Sequence, residues 1–143
     1  MSDELTFVDS NVLVYAYDAD AGSKHEKSRA VVEDLWRSRT GSVSTQVLQE
    51  FYVVATRKLV KPLPRLEARA IVATYKAWPV HRPTVDDVTA ASELEERHQV
   101  QFWDALVVTS ALRLGASTLL SEDLQQGQHF SGLVVVNPFA SAA

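Results

Sequence analysis

The chain of 143 residues contains no cysteine and only five glycines and five prolines. The lack of cysteine excludes disulfide bridges, thiolate zinc sites and cysteine nucleophiles. The low glycine and proline content, with no internal period of about 20–50 residues, excludes collagen-like and repeat architectures. No apolar run reaches about 18 residues, so we expect no membrane span. The first residues are acidic, where a secretory leader is basic, and we therefore expect a cytoplasmic protein.

Basic residues are too few for a module that binds nucleic acid by charge alone. The chain has 14 Lys and Arg against 18 Asp and Glu, a net charge of −4 and a pI of about 5.5. Passive nucleic-acid-binding domains usually have a pI above about 9. An enzyme whose acidic site holds cations remains compatible with this charge. The length fits one domain of about 100–200 residues, so we expect a single domain over residues 1–143.

Short runs of strand formers alternate with helical stretches along the chain. The patterns predict strands over 5–8, 42–44, 80–82, 118–121 and 133–136, and helices over 23–39, 45–59, 65–77, 84–97 and 102–114. Ser23 and Glu26 form a capping-box signature at the start of the first predicted helix, and Gly41 is a plausible stop after it. Residues 140–143 are predicted to fray. The alternation indicates an α/β fold in which helices cover both faces of a parallel sheet.

Several acidic residues lie in apolar surroundings. Asp9, Glu50 and Asp104 are each flanked by apolar residues, and Glu122 and Asp123 follow a predicted strand. Taken singly, each acid also fits a solvated surface position or a helix cap. Ligands of open α/β sheets bind at the carboxyl ends of the strands, so the fold could gather these acids there. Unpaired buried charges are costly, and a hard cation such as Mg²⁺ or Mn²⁺ would remove their mutual repulsion.

Signatures of other phosphate and hydrolase sites are missing. The sequence has no GxGxxG, GxxxxGK[ST], HExxH or GxSxG motif. The four histidines are scattered, which argues against a zinc site. Asn11 stands where a phosphoryl-aspartate enzyme would have a second aspartate, which weakens a phosphatase-like interpretation.

Four short motifs follow one another along most of the chain: Phe7–Leu13 (FVDSNVL), Ser44–Phe51 (STQVLQEF), Phe102–Leu106 (FWDAL) and Leu120–Leu124 (LSEDL). Together they resemble the motifs of the PIN-domain ribonucleases, and most of all those of the VapC-type toxins of toxin–antitoxin pairs. The resemblance implies a PIN-like α/β/α sandwich with a mainly parallel central sheet.

The resemblance also implies a function and a site. It implies cleavage of RNA phosphodiesters by a metal-activated water, with Mg²⁺ or Mn²⁺ as cofactor, a cognate antitoxin as partner and a homodimeric assembly. The implied metal-binding and catalytic residues are the acidic quartet Asp9, Glu50, Asp104 and Asp123, accompanied by Asn11 and Ser121. Asp123 rather than Glu122 matches the family spacing from Ser121. The alternative is a catalytically silent PIN-like module that binds RNA or protein.

Two further features concern RNA binding. Five of the 14 basic residues lie within 13 positions: Arg57, Lys58, Lys61, Arg65 and Arg69. This stretch is either one wall of an RNA groove, positioned on phosphates, or a solvated helix–loop–helix corner. We expect Trp36, Trp78 and Trp103 to lie in the core or an interface, with Trp103 as the one to test for base stacking.

Overall fold

A six-stranded sheet forms the centre of the computed structural model, which describes residues 4–140. Its strands are β1 (Thr6–Val8), β2 (Gly41–Ser44), β3 (Val80–His81), β4 (Thr118–Leu120), β5 (His129–Phe130) and β6 (Leu133–Val136). The spatial order is β3-β2-β1-β4-β6-β5, and every pair is parallel except β5 with β6. The predicted α/β class and mainly parallel sheet are confirmed.

Six helices flank the sheet and complete the α/β/α sandwich. They are α1 (Ser10–Tyr17), α2 (Ser23–Ser38), α3 (Thr45–Arg57), α4 (Arg65–Thr74), α5 (Val85–His98) and α6 (Phe102–Arg113). Helix α1 packs on α2 and α3, and α5 packs on α6. Within residues 4–140, no helix is both long and apolar enough to span a membrane.

The core lies where the central strands meet the helices. Phe7 and Val8 of β1 are completely buried, as are Val43 of β2 and Leu119 of β4. Burying a large apolar side chain of this kind contributes about 1.5–3 kcal/mol to folding. The core therefore fixes β1 between β2 and β4, and this arrangement determines which loops meet at the carboxyl end of the sheet.

Some local predictions were wrong. Ser23 is the first helical residue of α2 rather than its cap, Gly22 occupies the cap position, and no side-chain cap hydrogen bond forms there. Helix α2 ends at Ser38 and is capped by Arg39 in the left-handed conformation, so Gly41 opens β2 instead of stopping the helix. Apart from Ala140, the end predicted to fray lies outside the described residues.

The N-terminal cap of helix α5 also forms hydrogen bonds to β3 and α6. Thr84 and Asp87 form a capping box, and buried Asp87 also accepts hydrogen bonds from Arg113 and pairs with His81, each at 2.7 Å. Burial alone would raise the pKa of Asp87, but Arg113, the Thr84 amide and His81 together hold it well below its usual value. This acid is therefore structural, and it joins α5, α6 and β3.

Gly41 is needed because β2 passes directly against an indole ring. A Cβ atom at Gly41 would lie 2.5 Å from Cη2 of Trp78, and two more ring atoms would be within 2.7 Å. Trp78 is buried and is held in place by the rings of Trp36 and Tyr75. The ring therefore has little freedom to move away.

We expect Gly41→Ala to lower the free energy of unfolding by about 1–3 kcal/mol, because a well-packed core accommodates an added methyl group only with strain. Urea unfolding measures the change. The double variant Gly41→Ala/Trp78→Leu should lose no stability beyond Trp78→Leu alone. An equal loss in both backgrounds would show that the ring contact is not the cause.

Candidate metal centre

Strand pairing brings the first two polar site residues together. Asp9 directly follows β1, and Ser121 directly follows β4; Val8 pairs with Leu120 in the register of these parallel strands. The Ser121 hydroxyl donates to Asp9 Oδ2 at 2.7 Å, and the Asp9 amide donates to the Leu120 carbonyl at 2.9 Å. Asp9 also caps α1, where it accepts from the Ser10 amide. These hydrogen bonds hold the buried Asp9 side chain in one orientation.

Two further carboxylates converge on Asp9. Asp104 lies in the first turn of α6, and Asp123 lies in the loop after β4. One carboxylate oxygen from each of these three acids lies within 4.8 Å of the other two. Asp9 is buried, Asp104 is half-buried and Asp123 is exposed. The cluster is therefore open to solvent on the Asp123 side.

The cluster makes negative charge unfavourable in the absence of a cation. Burial, opposed by the hydrogen bonds from Ser121 and Ser10 and reinforced by the charges of Asp123 and Asp104, raises the pKa of Asp9 from 3.8 to about 7. Burial and Asp123 also raise the pKa of Asp104. Within residues 4–140, no lysine, arginine or histidine forms a salt bridge with these acids.

Glu50 lies on α3, at the side of this cluster. Burial raises its pKa, and the charges of Asp104 and Asp123 raise it further. Its Oε1 atom is buried without a hydrogen-bond partner among the described residues. The structure places Glu50 close enough for electrostatic coupling, but not within the group of oxygen atoms that lie within 4.8 Å of one another. A bound water or ion is a natural partner for such an orphaned oxygen.

Asn11 and Ser121 hold the outer acid in place. The Asn11 amide donates to Asp123 Oδ2 at 2.9 Å, and the Asp123 backbone amide donates to the Ser121 hydroxyl at 3.1 Å. These contacts fix Asp123 from two sides. Both polar residues singled out in the sequence therefore contact the acids of the cluster.

Glu122, the neighbour of Asp123, is engaged elsewhere. Lys24 and the Tyr15 hydroxyl donate to its two carboxylate oxygens at 2.8 and 2.6 Å. Burial alone would raise the pKa of Glu122, but the hydrogen bonds from Lys24 and Tyr15 outweigh this effect and keep it low. Sequence reasoning missed this clamp, because Tyr15 and Lys24 are distant from Glu122 along the chain.

The donor set suits a hard divalent cation. Oxygen ligands from carboxylates are what Mg²⁺ and Mn²⁺ prefer, and the cluster supplies three of them, with no basic side chain of residues 4–140 in a salt bridge to them. A cation would also offset the burial that raises the pKa of Asp9, and the weaker repulsion from Asp123 and Asp104. Asp9, Asp104 and Asp123 are the residues that could hold it.

A cavity of about 540 Å³ opens beside Asp104 and Asp123. Its other walls come from the end of α5 and the segment that joins it to α6 (residues 98–101), and from the loop between β4 and β5. Sequence reasoning did not single out this cavity, because its glutamines form no recognisable motif. Trp103, beside Asp104, is 62% exposed, so of the two positions predicted for it, core or interface, the core is excluded. Trp78 is buried in the core as expected.

The site and the fold agree with one known protein family. A model of the PIN domain matches residues 6–128, and the chain belongs to the PIN domain family. PIN nucleases use divalent metal ions, in keeping with the acidic cluster. No match was found among curated protein sequences.

Solved structures share this fold at low sequence identity. A toxin–antitoxin complex from Klebsiella pneumoniae superposes with a TM-score of 0.68 and 13% identity, covering 94% of this chain and 98% of the other. VapC20 of Mycobacterium tuberculosis, described as a toxin that cleaves the sarcin–ricin loop, has a TM-score of 0.61 and 20% identity, covering 80% of this chain and 86% of the other. VapBC2 of Rickettsia felis, bound to a promoter DNA fragment, superposes with a TM-score of 0.62 and 16% identity, covering 92% of this chain and 96% of the other.

Proposed function

We propose that this protein is a metal-dependent endoribonuclease of the VapC type, the toxin of a toxin–antitoxin pair. The observation that carries the proposal is the convergence of three carboxylates within 4.8 Å in a PIN domain, with no salt bridge to a basic residue in the described part of the chain. Repulsion between such groups is unfavourable for a scaffold that never binds a cation. The proposal includes a single catalytic domain over the whole chain.

The residues of the cluster have distinct tasks in this proposal. Asp9, Asp104 and Asp123 hold a divalent cation, Mg²⁺ or Mn²⁺, and Ser121 and Asn11 keep the carboxylates oriented. When bound, such an ion supplies Lewis-acid chemistry: it makes a water more acidic and neutralises charge on the phosphodiester. Glu50, with its unpartnered oxygen, orients the attacking water or adds a ligand. No side chain acts as a nucleophile.

The RNA strand needs contacts beyond the metal centre. The five basic residues that begin at Arg57 are all exposed at the corner between α3 and α4, and α3 also carries Glu50. We propose that this basic corner binds RNA phosphates, which position a strand without reading its sequence. Exposed Trp103, next to Asp104, is available for stacking on a base.

The proposed partners follow from the related structures. The complexes from Klebsiella pneumoniae and Rickettsia felis contain a toxin with its antitoxin. We therefore propose a protein antitoxin as the regulator of this chain. A homodimer in the cytoplasm is the assembly we propose.

Incubation of the purified protein with a mixed pool of structured RNAs tests this function. We expect discrete cuts with Mg²⁺ or Mn²⁺ and none with EDTA, because the carboxylates need a cation to act on a phosphodiester. Sequencing of the new RNA ends measures the cuts. The protein is first purified under denaturing conditions and refolded, so that no copurifying antitoxin blocks the site.

The alternative is a catalytically silent PIN-like module that binds RNA or protein. It predicts binding of RNA without cutting under any metal condition. Cleavage of a small phosphoester, with RNA left intact, would instead indicate a phosphatase-like hydrolase. Either result would contradict the proposed ribonuclease.

A further inference from the structure

The cavity beside Asp104 and Asp123 is lined by side-chain amides. We propose that it is a base-binding subsite, which takes the nucleobase next to the scissile phosphate and favours adenine. This inference rests on the proposed function and adds a source of sequence specificity to it. It concerns a different set of side chains from the acidic cluster.

Four glutamines line the cavity, together with His98 and the carboxylates of Asp104 and Asp123. Gln99 and Gln101 come from the segment between α5 and α6, and Gln125 and Gln128 come from the loop between β4 and β5. No lysine or arginine is among the lining residues, so the cavity is poorly suited to binding a phosphate group. A neutral wall rich in donors and acceptors is suited to the edge of a base.

The chemistry of the amide group points to adenine. A glutamine side chain carries a donor and an acceptor side by side, and it pairs in bidentate fashion with the N6 amino group and N7 of adenine. The same edge of guanine presents two acceptors, which arginine or lysine would match. Proteins read single-stranded RNA by capturing unstacked bases in this way.

The amides are available for such contacts. Gln99 donates its side-chain amide to the Glu96 carbonyl at 2.8 Å, which leaves its oxygen atom free to accept. Within residues 4–140, no hydrogen bond engages the side-chain amides of Gln101, Gln125 or Gln128. The volume of about 540 Å³ lies within the range of about 300–1,000 Å³ that is common for small-ligand sites.

The two walls are fixed relative to each other. The rings of His98 and Phe130 contact edge to face, with centroids 4.9 Å apart, and link the end of α5 to β5. The Gln128 carbonyl accepts from the Val135 amide at 2.9 Å, and the Gly127 amide donates to the Val135 carbonyl at 2.9 Å. Because Asp104 and Asp123 line the same cavity, a base held there belongs to a nucleotide at the cleaved phosphate.

Cleavage of a random-sequence RNA pool, followed by sequencing of the new ends, tests the subsite. We expect the wild-type protein to favour adenine at one position next to the cut. Gln101→Leu and Gln128→Leu, which keep size and remove the amide, should each lower that preference, and the pair should lower it about 10-fold. Preferences at the other positions should keep their wild-type values.

Gln126→Leu is the matched control, since Gln126 lies in the same loop but caps the Asn137 amide instead of lining the cavity. Its base preference should equal that of the wild type. An unchanged adenine preference in the Gln101 and Gln128 variants, or no preference in the wild type, would overturn the subsite alone. Absence of any metal-dependent cleavage by the wild type would overturn the proposed function and the subsite with it.

Discussion

Replacement of Asp104 by asparagine is expected to lower the rate of metal-dependent RNA cleavage by at least about 10²-fold, while the protein stays folded. Loss of residues that merely orient metal ligands typically costs about 10–100-fold in affinity or activity, and a direct ligand should exceed this. Asparagine keeps the shape of the side chain but removes one of the three converging charges. The variant should therefore bind Mn²⁺ more weakly, and a Mn²⁺ titration alongside the cleavage assay measures both effects.

The control for this variant is Asp86→Asn. Asp86 occupies the first turn of α5, as Asp104 occupies the first turn of α6, but it is exposed and lies outside the cluster. Its removal should leave cleavage and Mn²⁺ binding at wild-type values. Wild-type cleavage by a folded Asp104→Asn protein would show that the cluster is not the catalytic metal centre.

The second large effect concerns stability without metal. We expect Asp9→Asn to be more stable than the wild type at pH 8 in EDTA, by about 2–4 kcal/mol. The pKa of Asp9 is raised from 3.8 to about 7 in the folded protein, and a shift of this size corresponds to about 4 kcal/mol. The variant also loses the charge-assisted hydrogen bonds from Ser121 and Ser10, which reduces its gain in the free energy of unfolding.

The pH dependence of this effect has a definite sign. Between pH 3.8 and about 7 the unfolded chain releases the Asp9 proton while the folded chain keeps it. The unfolded state then binds fewer protons, so this group lowers wild-type stability as the pH rises through that window, and adds no further change above it. At pH 3.8 and below, the advantage of the asparagine variant should disappear.

Urea unfolding in EDTA across this pH range measures the difference. Because a ligand that binds only the folded state stabilises it, Mg²⁺ should raise the stability of the wild type at pH 8 and have little effect on Asp9→Asn. A wild type that gains stability relative to the variant between pH 4 and 7 in EDTA would contradict the prediction.

Most of the sheet was predictable because its strands are short apolar runs between turn residues. The first helix, α1, could not be predicted, because Ser10–Tyr17 is rich in valine and tyrosine, which favour strands locally. Asp9 as cap and burial of Val12 and Leu13 against the core make this segment helical. The two-residue strand β5 was also missed, because its sequence has no apolar run and its pairing with β6 depends on the turn.

The acidic cluster could be anticipated from the sequence, because carboxylates in apolar surroundings need an explanation. The resemblance to the PIN family indicated which of the two adjacent acids belongs with the others. The hydrogen bonds of Glu122 to Lys24 and Tyr15 supply a physical reason for that choice. The glutamine cavity could not be predicted, because two loops with ordinary surface composition meet only in the folded chain.

The pairing of β1 with β4 has a consequence for the order of events during synthesis. Ser121 contacts Asp9 across a separation of 112 positions in the chain. Contacts between such distant segments form late, because closing a long loop is entropically unfavourable. A growing chain therefore lacks the complete cluster until residues beyond Asp123 have left the ribosome. A chain truncated before β4 lacks Ser121 and Asp123, so under the proposed function it should not cleave RNA.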